Sequence, residues 1–403
     1  MIKTNSEPVG EHTGLFHLRN LLSYFVFFVT LGFAIQACME EPTPVGSRLL
    51  PPSDLLKIDT ATTVSVGSTS QKVIPNPSFP FRLLVGKFDE SESWGVIRFS
   101  QLPDSLILVN VVGAELNLRV NYHFGDSLAP FSMDVHKVLQ NWGSDSLTID
   151  SLRSAGFYET APLAVVNAGA VHDSAVITIP LDTALVRSWL NAPSDTVITN
   201  FGLLLRPTNT AVVKGFATSI ASTESHRPHL VVRYTRTGTT QVDTATVAGS
   251  TEAFGASTSN TSWLSDSTRI YVRNGLSYRG MIDFDIASLP AGTSIHKAVL
   301  EVTLDPTASR FNSYTSDSLF AYFVTDDGVV QTVSALSVPV IVDGRKTYQF
   351  QVSTFAQLWL RRNYPRRIAI AGYTEEYSLD SFVLFGAPSP LKPKLIITYS
   401  AVL

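Results

Sequence analysis

The stretch RPHLVVRYT, residues 227–235, returns almost unchanged as KPKLIITYS at residues 392–400. Each copy is a run of β-branched and aliphatic residues behind a proline, which is typical of a strand. Other matches precede these segments in the same order: GVIRF (95–99) with GMIDF (280–284), each followed by a Leu-Pro pair, then AELNLRV (114–120) with AVLEVTL (298–304), and TALVRSWL (183–190) with STFAQLWL (353–360). The repeat spans roughly 170 residues. This is too long for a solenoid unit, so the repeat predicts two copies of one β domain.

Alternation along the chain predicts the fold class. In AELNLRV, Leu116, Leu118 and Val120 alternate with polar residues, as in an antiparallel strand that is buried on one side. Many such runs are separated by turn residues. We therefore expect an all-β protein of two tandem, jelly-roll-like antiparallel β-sandwiches.

Each copy also predicts one short helix. Thr183 and Ser353 stand where an N-cap is expected, because their hydroxyl groups can accept hydrogen bonds from the first-turn amides. Trp189 and Trp359 then fall on the same helical face as the apolar residues four positions earlier. We interpret the two tryptophans as core residues and not as ligand platforms.

The N-terminal region, residues 1–37, predicts a lipoprotein signal peptide. Arg19 precedes the uncharged run LLSYFVFFVTLGFAI (21–35), and small Ala37 precedes Cys38, the only cysteine. This order is that of an export signal. An uncleaved membrane anchor is the alternative, but the run is shorter than the ~20 residues that a membrane-spanning helix needs.

IQAC (35–38) resembles the lipobox of bacterial lipoproteins, and the following MEE resembles the acidic stretch in surface-exposed lipoproteins of Bacteroidota. The resemblance implies lipid modification of Cys38. It implies an exported protein that is held at the outer membrane by this lipid anchor and exposed on the cell surface.

The remaining chain divides by composition. Residues 38–56 contain four prolines and predict a semi-rigid tether. Residues 57–236 and 243–403 are the two predicted β-sandwich domains. TRTGTTQVD (235–243) is the expected linker.

The strand motifs carry a family resemblance. RFSQLPDSL (98–106) with AELNLRV, and the corresponding DFDIASLPAG (283–292) with AVLEVTL, are similar to the opening of DNRLRE-type domains. The resemblance continues through VHKVLQNW (135–142) and FGLLLRP (201–207), but the second copy has no match to Trp142 and is more divergent. It implies a carbohydrate-binding-module-like β-sandwich of bacterial surface proteins, with acidic polysaccharides among the ligands. RLLVGKFDESESWGVIRF (82–99) also resembles a Bacteroidota lipoprotein family of unknown function.

Composition and motifs argue against several function classes. The net charge is −4, so we expect no nucleic-acid partner. No motif of a nucleophile, metalloprotease or phosphate-binding loop occurs in the sequence. We therefore expect no enzyme activity, although a pair of carboxylates that cleaves a glycosidic bond leaves no sequence signature.

The sequence predicts no cofactor and no metal. His226 and His229 would point to opposite faces of a strand, which is unsuited to zinc. Asp326, Asp327 and Gly328 resemble only a fragment of a calcium loop. Structural calcium therefore has little support.

Sugar binding requires exposed aromatic faces beside polar groups. The candidates in loop-like segments are Tyr122, Trp263, Tyr278, Tyr373 and Tyr377, with Phe124 beside the first. Trp263 is the strongest candidate because its neighbours are small or polar apart from Leu264. Each of these residues alone is also compatible with packing at the rim of a core.

The cluster RRNYPRR (361–367) places Arg361, Arg362, Arg366 and Arg367 around Tyr364. It follows a predicted helix, and positive charge there suits the negative end of the helix dipole. We favour that interpretation. The alternative is a patch for acidic polysaccharide or lipid head groups, which arginine binds in bidentate fashion.

Together these features predict a non-catalytic cell-surface lipoprotein that binds extracellular polysaccharide. One alternative is a structural, adhesion or docking lipoprotein with a surface protein as its partner and no glycan ligand. A weak polysaccharide-cleaving enzyme is the other.

Overall fold

The computed structural model describes residues 57–73, 81–192, 199–209, 211–312, 315–325, 328–362 and 364–401. The signal region, the tether and Cys38 lie outside these residues. Residues 58–401 form one compact unit.

The fold is all-β, with three short helices among the described residues. The helices are α1 (Ile149–Arg153), α2 (Thr183–Asn191) and α3 (Ser353–Arg361). The strands are β1 (Lys57–Lys72), β2 (Arg82–Phe88), β3 (Ser91–Phe99), β4 (Asn110–Gly125), β5 (Pro130–Lys137), β6 (Ala164–Ala170), β7 (Val176–Pro180), β8 (Leu203–Pro207), β9 (Ala211–Ala217), β10 (His229–Thr235), β11 (Val242–Val247), β12 (Ser250–Thr258), β13 (Arg269–Arg273), β14 (Tyr278–Phe284), β15 (Ser294–Thr303), β16 (Leu319–Val324), β17 (Val330–Ser337), β18 (Pro339–Val342), β19 (Arg345–Gln351), β20 (Arg367–Gly372), β21 (Ser381–Phe385) and β22 (Lys394–Ala401).

The strands form two antiparallel sheets of eleven strands each, which confirms the predicted fold class. The first sheet runs β11-β10-β4-β9-β2-β3-β8-β5-β6, with β12 and β7 attached to β3 and β4. The second runs β17-β16-β20-β14-β1-β22-β15-β19-β18, with β13 and β21 attached beside β14. Each sheet folds over its own apolar core.

The predicted alternation is present in β4. Leu116, Leu118 and Val120 are fully buried in the first core, and the residues between them are partly exposed. The neighbouring strand β10 pairs with the same segment, matching Leu230 to Leu116. The quoted repeat RPHLVVRYT is thus the partner of AELNLRV in the sheet.

The helices have the predicted packing but different caps. Trp189 of α2 and Trp359 of α3 are buried in the two cores, as expected. Asp182, not Thr183, caps α2 by accepting from the Ala184 and Leu185 amides at 2.6 and 3.3 Å. Ser353 is the first residue of α3, and its hydroxyl group accepts from the Ala298 amide at 2.9 Å.

The first copy also contains α1, which the sequence analysis did not predict. Thr148 caps it, and Ile149 and Leu152 pack beside Trp94 and Trp142. None of the helices in the described ranges is both long enough and apolar enough to cross a membrane.

The two copies exchange their opening strands. β1 was assigned by sequence to the first domain, yet it lies between β14 and β22 of the second sheet. Conversely β12, assigned to the second domain, pairs along its whole length with β3 of the first sheet. β11 pairs with β10 of the first sheet. The predicted boundary at 236–243 therefore does not separate the two sheets.

The exchange is reciprocal because the two strands occupy equivalent positions. Phe254 of β12 stands opposite Gly95 in GVIRF, and Ser70 of β1 stands opposite Gly280 in the matching GMIDF. Each copy thus supplies the strand that pairs with the GVIRF or GMIDF segment of the other.

Candidate ligand-binding site

Four of the aromatic residues predicted as sugar platforms meet at the junction between the two sheets. One apolar cluster contains Tyr122 and Phe124 of β4 together with Tyr278 of β14. Leu84, Val213, Leu276 and Leu379 complete its buried part, and Phe88, Phe254, Ala256 and Trp263 pack at its edge. The cluster joins residues from both copies.

Burial corrects the expectation for Tyr122 and Tyr278. Only 1% of Tyr122 and 7% of Tyr278 is exposed, so neither ring presents a face to a polysaccharide. Phe124 is buried in the same cluster and meets the Phe88 ring edge-on, with 5.6 Å between centroids. The turn-forming residues beside them, as in NYHFGDS (121–127), favoured loops, whereas all three lie in the strands β4 and β14.

Trp263 is half-buried in a 3₁₀ turn over Ser262–Ser265. Its ring centroid lies 4.8 Å from that of Tyr278 and 4.9 Å from that of Tyr271. The Arg273 guanidinium carbon lies 5.1 Å from the ring centroid, and the indole N–H donates to the Asn260 carbonyl oxygen at 2.8 Å. Internal contacts therefore occupy much of the indole.

The last two tyrosine candidates lie apart from this turn. Tyr373 is 45% exposed and stacks on Phe320 with 5.6 Å between ring centroids. Tyr377 is half-buried, meets Phe81 edge-on at 5.1 Å and lies 5.3 Å from the Arg82 guanidinium carbon. Tyr373 is thus the most exposed ring among the predicted candidates.

Asp380 lies at the centre of a buried hydrogen-bond network at the junction. Its carboxylate accepts from the Thr315 hydroxyl group at 2.6 Å and from the Asn312 amide at 3.1 Å. The Tyr122 hydroxyl group lies 3.5 Å from it and accepts from the Leu379 amide at 3.0 Å. Burial raises the pKa of Asp380, although these hydrogen bonds and Arg82 oppose the rise.

The four arginines of residues 361–367 have different roles. Arg367 forms a bidentate pair with Asp283 at 2.7 and 3.0 Å. Arg362 donates to the Tyr364 hydroxyl group at 2.9 Å and lies over its ring. Arg361 lies in the last turn of α3, where the helix-dipole interpretation placed it.

Arg361 and Arg366 together line a surface pocket of about 640 Å³. The opposite wall is the turn after β14, including Asp285 and the Leu289–Gly292 segment LPAG. Gly292 has φ +76°, which favours glycine at this turn. Leu-Pro-x-Gly is recognisable in the sequence as a family motif, but its proximity to the arginines is not, because the two segments are about 70 residues apart.

The described residues contain no group of three or more histidine, cysteine, aspartate or glutamate side chains arranged to hold a metal ion. Asp326 and Asp327, the calcium-loop fragment, lie outside the described residues.

Comparisons with known proteins add no assignment. No family model matches the chain, and no curated protein matches it. A solved structure titled BspA_C_WT aligns over 83% of this chain and 91% of its own, with 11% identity and a TM-score of 0.17. A structure of the infectious bursal disease virus Gx strain aligns over 88% and 79%, with 10% identity and a TM-score of 0.11. Scores this low establish neither a shared fold nor a shared function.

Asp380→Asn is expected to fold, because the new amide can donate to Thr315 while the Thr315 hydroxyl group donates to the Asn312 carbonyl oxygen, 2.9 Å away. A carboxyl group whose pKa is raised by folding contributes stability that is lost as the pH rises through the folded pKa. Lowering the pH from 7 towards 4 should therefore increase the free energy of unfolding of the wild type relative to that of Asp380→Asn. Urea unfolding of both proteins across this range measures the difference, and a pH-independent difference would contradict the raised pKa.

Proposed function

We propose that this chain is a non-catalytic cell-surface lipoprotein that binds acidic extracellular polysaccharide through the pocket lined by Arg361 and Arg366. The observation that carries the proposal is that Arg361 and Arg366 line one open pocket, where Arg366 also donates to the Tyr364 carbonyl oxygen at 3.5 Å. Its volume of about 640 Å³ lies within the ~300–1,000 Å³ range of small-molecule sites.

The pocket combines charge with an apolar wall. Leu289, Pro290 and Leu360 line it beside the arginines. Guanidinium groups bind carboxylates and sulfates through two parallel hydrogen bonds. The apolar wall suits the CH face of a sugar ring. Asp285 is the acidic residue on this wall, so the arginines leave an excess of positive charge.

The resemblance to DNRLRE-type domains favours the same ligand class. It implies acidic polysaccharides for some relatives, although it supplied no contact residues. The loop aromatics, by contrast, give this function little support, because Tyr122 and Tyr278 are buried.

Arg361→Ala with Arg366→Ala should weaken binding to acidic polysaccharide by roughly 10–100-fold, since hydrogen bonds between charged groups contribute about 1.5–3 kcal/mol. The measurement is a glycan panel with purified residues 39–403, comparing polygalacturonate and heparin with neutral dextran at two salt concentrations. Binding should also fall with salt.

Arg362→Ala is the matched control for each single variant, Arg361→Ala or Arg366→Ala, because it removes one positive charge from the same segment but does not line the pocket. If Arg362→Ala weakened the binding of acidic polysaccharide equally, the effect would come from general electrostatic attraction and not from the pocket. Absence of binding to every acidic glycan in the panel would contradict the proposed function.

The anchor is a separate part of the proposal and rests on IQAC (35–38) after the uncharged run. Several acyl chains on Cys38 would hold the protein stably, since one chain binds a membrane only marginally. Cells fed an alkyne-labelled fatty acid should label the wild-type protein and not Cys38→Ser. A wild-type protein that carries no label would contradict lipidation.

A docking protein is the second candidate function, and a specific surface favours it. β17 and β18 end the strand order of the second sheet, and Leu336, Val338 and Ile341 on or between them are exposed. Exposed apolar groups at sheet ends favour pairing with another chain. Failure of the glycan panel, together with a protein that binds wild type but not Ile341→Lys, would favour this function.

A further inference from the structure

A second pocket, of about 430 Å³, lies at the junction of the two copies. One wall is the segment Ser144–Asp150 before and within α1, and another is Ala253–Ala256 of the exchanged strand β12. The turn Gly275–Ser277, the pair Glu375–Glu376 and the end of β1 close it. We refer to it as the junction cleft.

The floor of the junction cleft is apolar. Leu276 and Ala253 are buried beneath it, and Phe254 is half-buried there. Phe254 packs against both the first core and the junction cluster, so its position depends on the strand exchange. An apolar floor of this kind favours the hydrocarbon part of a ligand.

The polar lining of the junction cleft is predominantly acidic. Asp145, Asp150, Glu375 and Glu376 supply carboxylates, and Lys72 supplies the cation at the rim. Glu375 is already neutralised by Arg279, which donates to both of its oxygens at 2.7–3.1 Å. Asp145 and Asp150 are exposed to water.

Glu376 is different from these three carboxylates. It is half-buried, and no described residue forms a hydrogen bond or an ion pair with its carboxylate. Burial and then the neighbouring Glu375 raise the pKa of Glu376, and the positive charge of Arg279 opposes the rise. A partly desolvated carboxylate that accepts no hydrogen bond from the described residues, beside an apolar floor, favours a cation brought by a ligand.

We infer that the junction cleft binds a small organic amine, with its protonated nitrogen at Glu376 and its apolar body on Phe254. This site is separate from the arginine pocket and has the opposite charge preference. The inference does not depend on polysaccharide binding.

Three probes with one apolar body and different charge test the inference: 2-phenylethylamine, 2-phenylethanol and phenylacetate. Isothermal titration calorimetry on the full chain should show the amine binding about tenfold or more tightly than the alcohol. Phenylacetate should bind least. Equal affinities for the amine and the alcohol, or no binding of any probe, would overturn the inference.

Glu376→Gln should reduce the affinity for the amine to that for the alcohol. The affinity for the alcohol itself should stay unchanged. Because Glu376 is half-exposed, the variant should fold, and an unchanged thermal midpoint verifies this. Glu224→Gln, an exposed carboxylate in another turn, is the matched control and should leave the amine affinity unchanged. Retained amine selectivity in Glu376→Gln would place the amine elsewhere and overturn the assignment.

Discussion

The rest of the structure depends on the antiparallel pairing of β12 with β3, and of β1 with β14. These pairs cross between the copies, so neither sheet is complete without a strand from the other half. The pairing brings Phe254 and Ala253 of β12 against residues of the first copy. Residues 58–401 therefore form one compact unit in which each sheet contains strands from both copies.

The exchange also determines where the junction residues lie. Tyr122 and Tyr278 come from different copies and share one apolar cluster, while Asp380 forms its hydrogen bonds beside them. Burying a carboxyl group requires hydrogen-bond partners, since unsatisfied buried polar groups cost about 1–3 kcal/mol each. The junction thus combines apolar burial with a satisfied polar network. The junction cleft shares Phe254, Ala256 and Leu276 with this cluster, whereas the arginine pocket belongs to the second copy.

Short sequence patterns correctly predicted which side chains of a single strand or helix are buried. Alternation in residues 114–120 identified the inward side chains of β4, and helical spacing placed Trp189 and Trp359 in the cores. The pairing partners could not be predicted in the same way. β1 and β12 pair with the matching segments GMIDF and GVIRF, and a strand pattern does not show which copy a strand joins, so only the three-dimensional arrangement decides. The error for Tyr122 follows from this, because Leu379, which donates to its hydroxyl group, lies 257 residues away. The arginine segment was found by sequence, but its pairing with the LPAG turn requires the fold.

The central claim is that each copy needs the strand of the other. β1 cannot replace β12 within the first copy, because its residues are mainly polar and it has no counterpart of Phe254 or Ala253. The direct measurement is urea unfolding of residues 57–241 and 242–403, each produced alone and then both produced together. The account predicts that 57–241 alone shows no cooperative transition and that the two segments together form a one-to-one complex with a single transition. The account would be contradicted if the segment 57–241 unfolded cooperatively on its own and did not bind the segment 242–403.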